Sequence, residues 1–462
     1  MFSGLNKDGI RLEEFAEMCQ GKLFNAQKGV KVFGISTDTR SVQKGEAFFA
    51  IKGENFDGNK FVGEAEKHNA SCAVVSCLDD SSSLPQILVK DTVESMCTFA
   101  KKYKSMFRPI TVAITGSVGK TTTKQYTHAI LSTLYSTLKT EGNLNSEIGL
   151  PITLSHLTSE HKAAVIEMGM SNLGEIRKLS EIVEPDISII TNIGCSHLEH
   201  LHTRDNILKA KMEIIDGMKD GSILLLNGDN EYLRKADCKK ICRLFYGIND
   251  NNDYVATNIR MGKDETLYDL ITPDDGTIKD LKILSYGYDN IYDSLAAVVC
   301  GILFGLSDDE LRRGLLEFKP VKMRKNIRES NGVTVIEDYY NACPESMKSA
   351  LEFLNHKSDG RKTAILGDMK ELGKDSPSLH SGIGKAAVDN GVELLFAIGD
   401  YAEDIKRGAE EEGIDNSSIF TYKNTDEFIN NYPKAKEYMK TGDCILIKAS
   451  RSMHFERISE LM

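Results

Sequence analysis

Residues 110–123 read ITVAITGSVGKTTT. Ile110, Val112 and Ile114 form an alternating β-branched run between Pro109 and Gly116, which predicts a short buried strand. The backbone is then freed by Gly116 and Gly119, and Lys120 opens a helix expected to run to about Leu134. A strand, a glycine loop and a helix N-terminus together make an anion cradle. The amides of the loop from Gly116 through Ser117, Val118 and Gly119 to Thr122 point inward, and the helix dipole favours negative charge. Lys120 adds a full charge for a β/γ-phosphate, and Thr121 can bring its hydroxyl to Mg²⁺. The spacing departs from the strict phosphate-loop form, because Ile114 stands where its first glycine would be. The stretch reads as a nucleoside triphosphate site.

Outward from this loop the chain alternates between apolar strands and helices. On the N-terminal side, residues 1–90 predict a small α/β unit. It has a helix near Leu12–Cys19, strands at KVFGIST, AFFAI, CAVVS and PQILV, and a helix near Val62–His68. A helix from about Thr92 to Met106 leads into the loop. On the C-terminal side, TEGNLNSEIGLP (140–151) is dense in Asn and Gly and reads as a loop able to grip a polar substrate. Strands AAVIEMG (163–169), DISIITNIG (186–194) and SILLLN follow, then irregular antiparallel strands over 252–285 with a hairpin at Asp274-Asp275-Gly276. A helix spans about Ile291 to Leu303, and Phe318-Lys319-Pro320 reads as a linker. From residue 333 a Rossmann-like β–α alternation restarts. The pattern is α/β with mainly parallel sheets.

The bulk numbers set limits. A chain of 462 residues is too long for one core, so two or three domains are expected. A net charge of −11 without a basic block argues against a nucleic-acid binder. No run of about 18 apolar residues predicts membrane insertion, and MFSGLNKDGIRLEEF lacks a secretory pattern. Ten scattered cysteines, none in C-x-x-C, suit free thiols in a reducing cytoplasm. HLEHLH (197–202) suggests zinc, but no second ligand cluster supports it.

Several polar residues fall at or just past predicted strand ends, where ligands of such sheets bind. Glu167 would be costly there if buried alone, and Mg²⁺ is its natural partner. His197 follows the next strand, with a surface histidine as the alternative. Lys211 lies in the helix beyond. A lysine beside a cation site is repelled unless it is structural or carbamylated, although the local sequence alone favours an ordinary surface lysine. Arg324, in the linker KPVKMRKNI, could reach a γ-phosphate when domains close. Asp338 ends a strand beside Tyr340 and Asn341, where an acidic residue can bond ribose hydroxyls or cap a helix. GDMKELG (367–373) and Lys448-Ala449-Ser450-Arg451 bring polar groups to the same rim. Ser36, Asp38 and Arg40 sit in a turn-rich stretch of the first unit.

These motifs resemble those of the Mur ligases of peptidoglycan synthesis. The shared pieces are TGSVGKT, Glu167 after an apolar strand, His197 in SHLEH and the A-K-x-E segment Ala210–Glu213, and the match runs over essentially the whole chain. STDTR with KGENFDG, TEGNLNSEIGLP, VIEMG, LGDMKELG and ILIKASR narrow the resemblance to the branch that adds D-alanyl-D-alanine, GDMKELG being the most specific. The resemblance implies three domains: an N-terminal UDP-substrate-binding domain (1–90), a central ATP-binding domain (91–318) and a C-terminal ligase domain (319–462). It implies ATP and two Mg²⁺ ions, and a cytoplasmic monomer acting on UDP-N-acetylmuramoyl-tripeptide and D-alanyl-D-alanine. ATP would phosphorylate the tripeptide's terminal carboxylate, and the dipeptide amine would attack the acyl phosphate. Carried over by position, Lys120 and Thr121 hold phosphates and the first Mg²⁺. Glu167, His197 and carbamylated Lys211 hold metal, Arg324 contacts phosphate, and Asp338 contacts ribose or phosphate. Ser36, Asp38, Arg40, Asn143, Asn145, Tyr340, Asn341, Lys448, Ser450 and Arg451 face substrate.

Two stretches depart from the family pattern. The usual His-Asn-x-x-Asn is Asp289-Asn290-Ile291-Tyr292-Asp293 here, which keeps Asn290 as the adenine neighbour but puts a carboxyl at 293. The usual Asp-Asp-Ser-Tyr-Asn-Ala-Asn-Pro is Glu337-Asp338-Tyr339-Tyr340-Asn341-Ala342-Cys343-Pro344. Two other readings fit part of the pattern: a family ligase with a different amino acid or dipeptide acceptor, and a nucleotide-binding scaffold without ligation. GDMKELG and KASR weigh against the first, and intact Lys120, Glu167, His197 and Lys211 against the second.

Overall fold

The computed structural model describes residues 8–53, 56–238 and 241–462. Glu54 of the KGENFDG motif and the first residues of the N-terminal stretch lie outside them. Three principal sheets follow one another along the chain.

The central sheet has nine strands in the order Thr277–Ile283, Thr266–Ile271, Tyr254–Met261, Cys242–Gly247, Ile223–Asn227, Ile187–Ile190, Ile110–Thr115, Ala163–Glu167 and Thr137–Lys139. All neighbours are parallel except the two pairs at the Thr277–Ile283 edge. Ile110–Thr115 is buried on both faces beyond its first residue, as a parallel strand between helical layers must be. After it the chain builds Thr137–Lys139 and Ala163–Glu167 to one side, then crosses to Ile187–Ile190 on the other. That reversal opens a crevice at the carboxyl ends of the strands, where such sheets bind ligands. Glu167 pairs in register with Ile114, and Ile190 with Thr115, so the residues that follow all three strands emerge on one rim.

The N-terminal sheet has five strands, ordered Lys22–Phe24, Gln86–Leu88, Cys72–Val75, Glu46–Phe49 and Gly34–Ser36. The helix Thr92–Phe107 joins it to the central sheet. Phe99 lies 4.9 Å from Phe15, and the Tyr103 hydroxyl donates to Leu157 O at 2.9 Å, so one apolar core serves both sheets. The C-terminal sheet runs Asn326–Ser330, Val333–Glu337, Cys444–Lys448, Lys362–Gly367, Val392–Ile398 and Ile419–Tyr422, parallel except for the first pair. Among the described residues no helix is long and apolar enough to cross a membrane.

The sequence-based expectations need correction in four places. KVFGIST is two strands in different sheets, Lys31–Val32 and Gly34–Ser36. The break falls at Phe33, whose amide turns to donate to Gly45 O. The phosphate-loop helix ends at Leu131, where Ser132–Leu134 turn back on backbone bonds. The segment 140–151 is a loop only as far as Ile148, because Gly149–Ser155 is helical and takes Pro151 in its first turn, where a missing N–H costs nothing. The linker read at 319–327 is already strand from Asn326.

Candidate active site

A cavity of about 1260 Å³ lies between the rims of the central and C-terminal sheets. Its floor is the phosphate loop. Gly119 has φ +88°, and a Cβ there would stand 2.3 Å from Asp293 Oδ1; one at Gly116 would stand 1.8 Å from Thr191 Oγ1. Only glycine lets the chain pass this close to its neighbours. Asn192, just past Ile187–Ile190, accepts the Ser117 and Val118 amides on Oδ1 at 3.1 and 2.9 Å and pins the loop. Lys120 Nζ donates to Gly116 O at 2.7 Å and Ser117 O at 3.3 Å. Burial lowers its pKa, which Glu167 opposes and Arg324 reinforces.

Glu167 is the hub of the buried wall. Its Oε1 accepts Asn145 Nδ2 at 2.9 Å and Thr121 Oγ1 at 3.3 Å. Lys124 Nζ stands 3.0 Å from Oε2, an ion-pair distance without hydrogen-bond geometry, so both atoms stay buried with bonding capacity unmet. Burial alone would raise this carboxyl, but Lys124 and Lys120 outweigh it and hold it below the ordinary carboxylate range. Lys124 was not foreseen, although it lies one helical turn from Lys120 and therefore on the same face.

From the linker, Arg324 Nη2 donates to Thr121 Oγ1 at 3.2 Å, and its guanidinium sits 4.4 Å over the Tyr340 ring. Asp338 lines the cavity while accepting Lys448 Nζ at 2.7 Å, a buried ion pair that also reaches Asn341 O at 3.1 Å. Asn290 lines the cavity and donates to Tyr286 O at 2.9 Å. Asp293 accepts Thr123 Oγ1 at 3.0 Å, and burial, followed by Asp289, pushes its pKa well up. A carboxyl that keeps its proton has a donor, so the departure at 293 is less disruptive than its charge suggests.

His197 lines the cavity, with Nδ1 2.5 Å from Glu371 Oε2. Lys211 is buried, and burial together with the Lys120 charge pushes its pKa far down. It does not line the cavity wall. Ser36, Asp38 and Arg40 lie apart, on the N-terminal sheet's rim. Asp38 and Arg40 form a bidentate pair, the shortest contact 2.6 Å, which holds the Asp38 carboxyl at about 2. Asn143, Ser450 and Arg451 also lie off the cavity, Ser450 accepting Lys370 N at 2.9 Å and Arg451 pairing with Glu456 at 2.9 Å.

Three family descriptions match the chain: "Mur ligase family, catalytic domain" over residues 31–96, "Mur ligase middle domain" over 114–301, and "Mur ligase, glutamate ligase domain" over 323–451. A UDP-N-acetylmuramoyl-tripeptide–D-alanyl-D-alanine ligase of Bacillus subtilis is 35% identical over 459 residues, 97% of each chain. The chain belongs to the Mur ligase family. The Escherichia coli ligase of the same name is 33% identical, over 89% of this chain and 91% of its own. Among solved structures, a MurF from Acinetobacter baumannii superposes with a TM-score of 0.89 at 28% identity over 98% of both chains. A Thermotoga maritima MurF in complex with ADP does so with 0.80 at 30% identity, over 92% of this chain and 96% of its own. The fold is therefore that of a Mur ligase across all three sheets.

Proposed function

We propose that this chain is an ATP-dependent peptide ligase that joins D-alanyl-D-alanine to UDP-N-acetylmuramoyl-tripeptide, as a cytoplasmic monomer of three domains (1–90, 91–318 and 319–462). The observation that carries this reading is Arg324 reaching Thr121 Oγ1. The segment entering the C-terminal sheet thus delivers a guanidinium to the γ-phosphate end of the cradle, where charge develops during phosphoryl transfer. The full-length ligase relatives supply the acceptor and donor classes.

In this reading the carboxylate of the tripeptide attacks the γ-phosphorus in line. A carboxyl O–P bond forms, the bridging P–O bond to ADP breaks, and Lys120 and Arg324 neutralise the migrating charge. The dipeptide amine then adds to the acyl carbon and loses a proton, and the tetrahedral intermediate expels phosphate to leave the amide. Holding these reactants between two sheet rims supplies alignment, with effective molarities of about 10⁵–10⁸ M for well-oriented groups. Asn290, Asp338, Tyr340 and Asn341 all line the cavity, and in this reading the first two meet the nucleotide and the last two the peptide.

Mg²⁺ fits the donor set. Glu167 Oε2 is buried without a hydrogen bond, and with the Thr121 hydroxyl it offers hard oxygen ligands. His197 and a carbamylated Lys211 would complete the set. Among the described residues no group of three or more His, Cys, Asp or Glu side chains could hold a metal, so the site depends on mixed donors rather than a carboxylate cluster. When bound, the ion would neutralise phosphate charge.

Tripeptide carrying ¹⁸O in its terminal carboxylate tests both the product and the route. The expected result is UDP-linked pentapeptide with one ¹⁸O transferred to inorganic phosphate. Amide formed only with another amine would overturn the acceptor, and label appearing in AMP would overturn the acyl phosphate.

A further inference from the structure

Away from the linker, several side-chain contacts tie the two rims of the cavity together, among them Ser349 Oγ donating to Asp289 Oδ2 at 2.9 Å, Glu345 Oε1 accepting Cys195 N at 3.0 Å, and the pair of His197 with Glu371. His197 precedes the short helix Leu198–Leu201 of the central domain, and Glu371 lies in the GDMKELG turn past Lys362–Gly367 of the C-terminal sheet. Nδ1 of the imidazole and Oε2 of the carboxylate are 2.5 Å apart. The contact has backbone support, since Glu199 N donates to Glu371 O at 2.9 Å. Gly373, at φ +61°, packs so close that a Cβ would stand 3.2 Å from Glu199 Cα. Both His197 (φ 66°) and Glu371 (φ 64°) hold left-handed backbone, a cost that surrounding structure must sustain and that concentrates at functional positions.

A carboxylate can only accept, so the shared hydrogen sits on His197 Nδ1, and in the neutral imidazole Nε2 is left with the lone pair. Ligating histidines are commonly fixed in this way, with the far ring nitrogen on a carboxylate that sets tautomer and ring orientation. The unusual feature here is that the carboxylate comes from a different sheet, 174 residues away. We propose that Glu371 is a positioning residue for His197, so that docking of the C-terminal sheet presents Nε2 to the cavity and completes the cation site. This rests on the proposed role of His197 as a metal ligand and extends it, because the site forms fully only in the closed arrangement. It also gives the GDMKELG turn two faces. Asp368 and Lys370 pair at 2.7 Å within the C-terminal domain, and Glu371 reaches across.

The test uses the full chain labelled with ¹⁵N-histidine, with Mn²⁺ as probe in the presence of a non-hydrolysable ATP analogue. His197→Asn assigns the ring signal. In the wild type His197 should show the Nδ1–H tautomer, and Glu371→Ala should shift it toward a mixture and weaken Mn²⁺ binding about 10–100-fold. Glu371→Gln keeps an acceptor for Nδ1–H, so it should restore the tautomer and most of the affinity, which a merely structural contact would not produce. Wild type that binds Mn²⁺ no more tightly than Glu371→Ala would overturn the inference alone. Wild type that binds no Mn²⁺ would overturn the metal-site reading and the inference with it.

Discussion

Replacing Lys124 with methionine keeps most of the side chain's volume and removes the charge facing Glu167. Both side chains are almost wholly buried, at 1% and 4% exposure, so water cannot take over. Removing one partner of such a pair costs about 3–5 kcal/mol, because the other charge is left uncompensated. Protonation offers Glu167 an escape. At pH 7, holding a proton on a carboxyl that titrates near 4.3 when unfolded costs about 3.7 kcal/mol, at about 1.36 kcal/mol per pH unit. The cheaper route prevails, so Lys124→Met should lose about 3–4 kcal/mol at pH 7. The pH dependence separates this from a packing defect. In the wild type the Glu167 pKa is depressed, so its stabilisation is present above the unfolded value, is lost only as pH falls through the folded one, and is flat between pH 5.5 and 7. In the variant, folding takes up a proton, so the loss should shrink to about 1.6 kcal/mol at pH 5.5. Urea unfolding of the full chain in EDTA reads both values. Lys124→Met/Glu167→Gln, with neither charge, should recover most of the loss. A loss below about 1 kcal/mol at pH 7, or one equal at both pH values, would refute the reasoning.

Three further outcomes follow from the same physics. The Asp293 carboxyl is pushed well up by burial, so the folded state keeps a proton that the unfolded chain releases above about pH 4; Asp293→Asn should raise the melting temperature at pH 7–8 and change it little at pH 4. His128 is pushed down to about 4 by burial and then by Lys139, so its contribution is present above the unfolded value near 6.5 and is lost as pH falls toward 4; His128→Gln should flatten acid unfolding over that window. Arg324→Lys keeps the charge but loses the planar fork that spans Thr121 and the Tyr340 face; kcat should fall about 10²-fold with the melting temperature within a degree or two, as measured by steady-state phosphate release.

The strand, glycine loop and helix start at 110–123 are legible because local rules coincide there. Alternating β-branched residues, two glycines with obligatory backbone freedom and a lysine opening a helix all specify one arrangement. The C-terminal β–α alternation was legible for the same reason. The less legible features depend on distance or on competing local signals. Lys124 sits in KTTTKQ, where a second lysine looks like a solvated charge until Glu167, 43 residues on, meets it in the core. Glu371 and His197 carry no sequence signal that they face each other. KVFGIST has a continuous strand composition, yet the turn at Phe33 wins because its amide finds Gly45 O. Lys448 and Asp338 both line the cavity, but nothing in the sequence signals that these residues, 110 positions apart, also pair with each other in a buried ion pair.

The most direct test of the central claim is phosphate release from ATP by the purified chain, with UDP-N-acetylmuramoyl-tripeptide and D-alanyl-D-alanine supplied together and each omitted in turn. The predicted result is turnover only when both are present, with one phosphate released per UDP-linked pentapeptide formed. Phosphate released at the same rate without the dipeptide, or no turnover with both, would contradict the account.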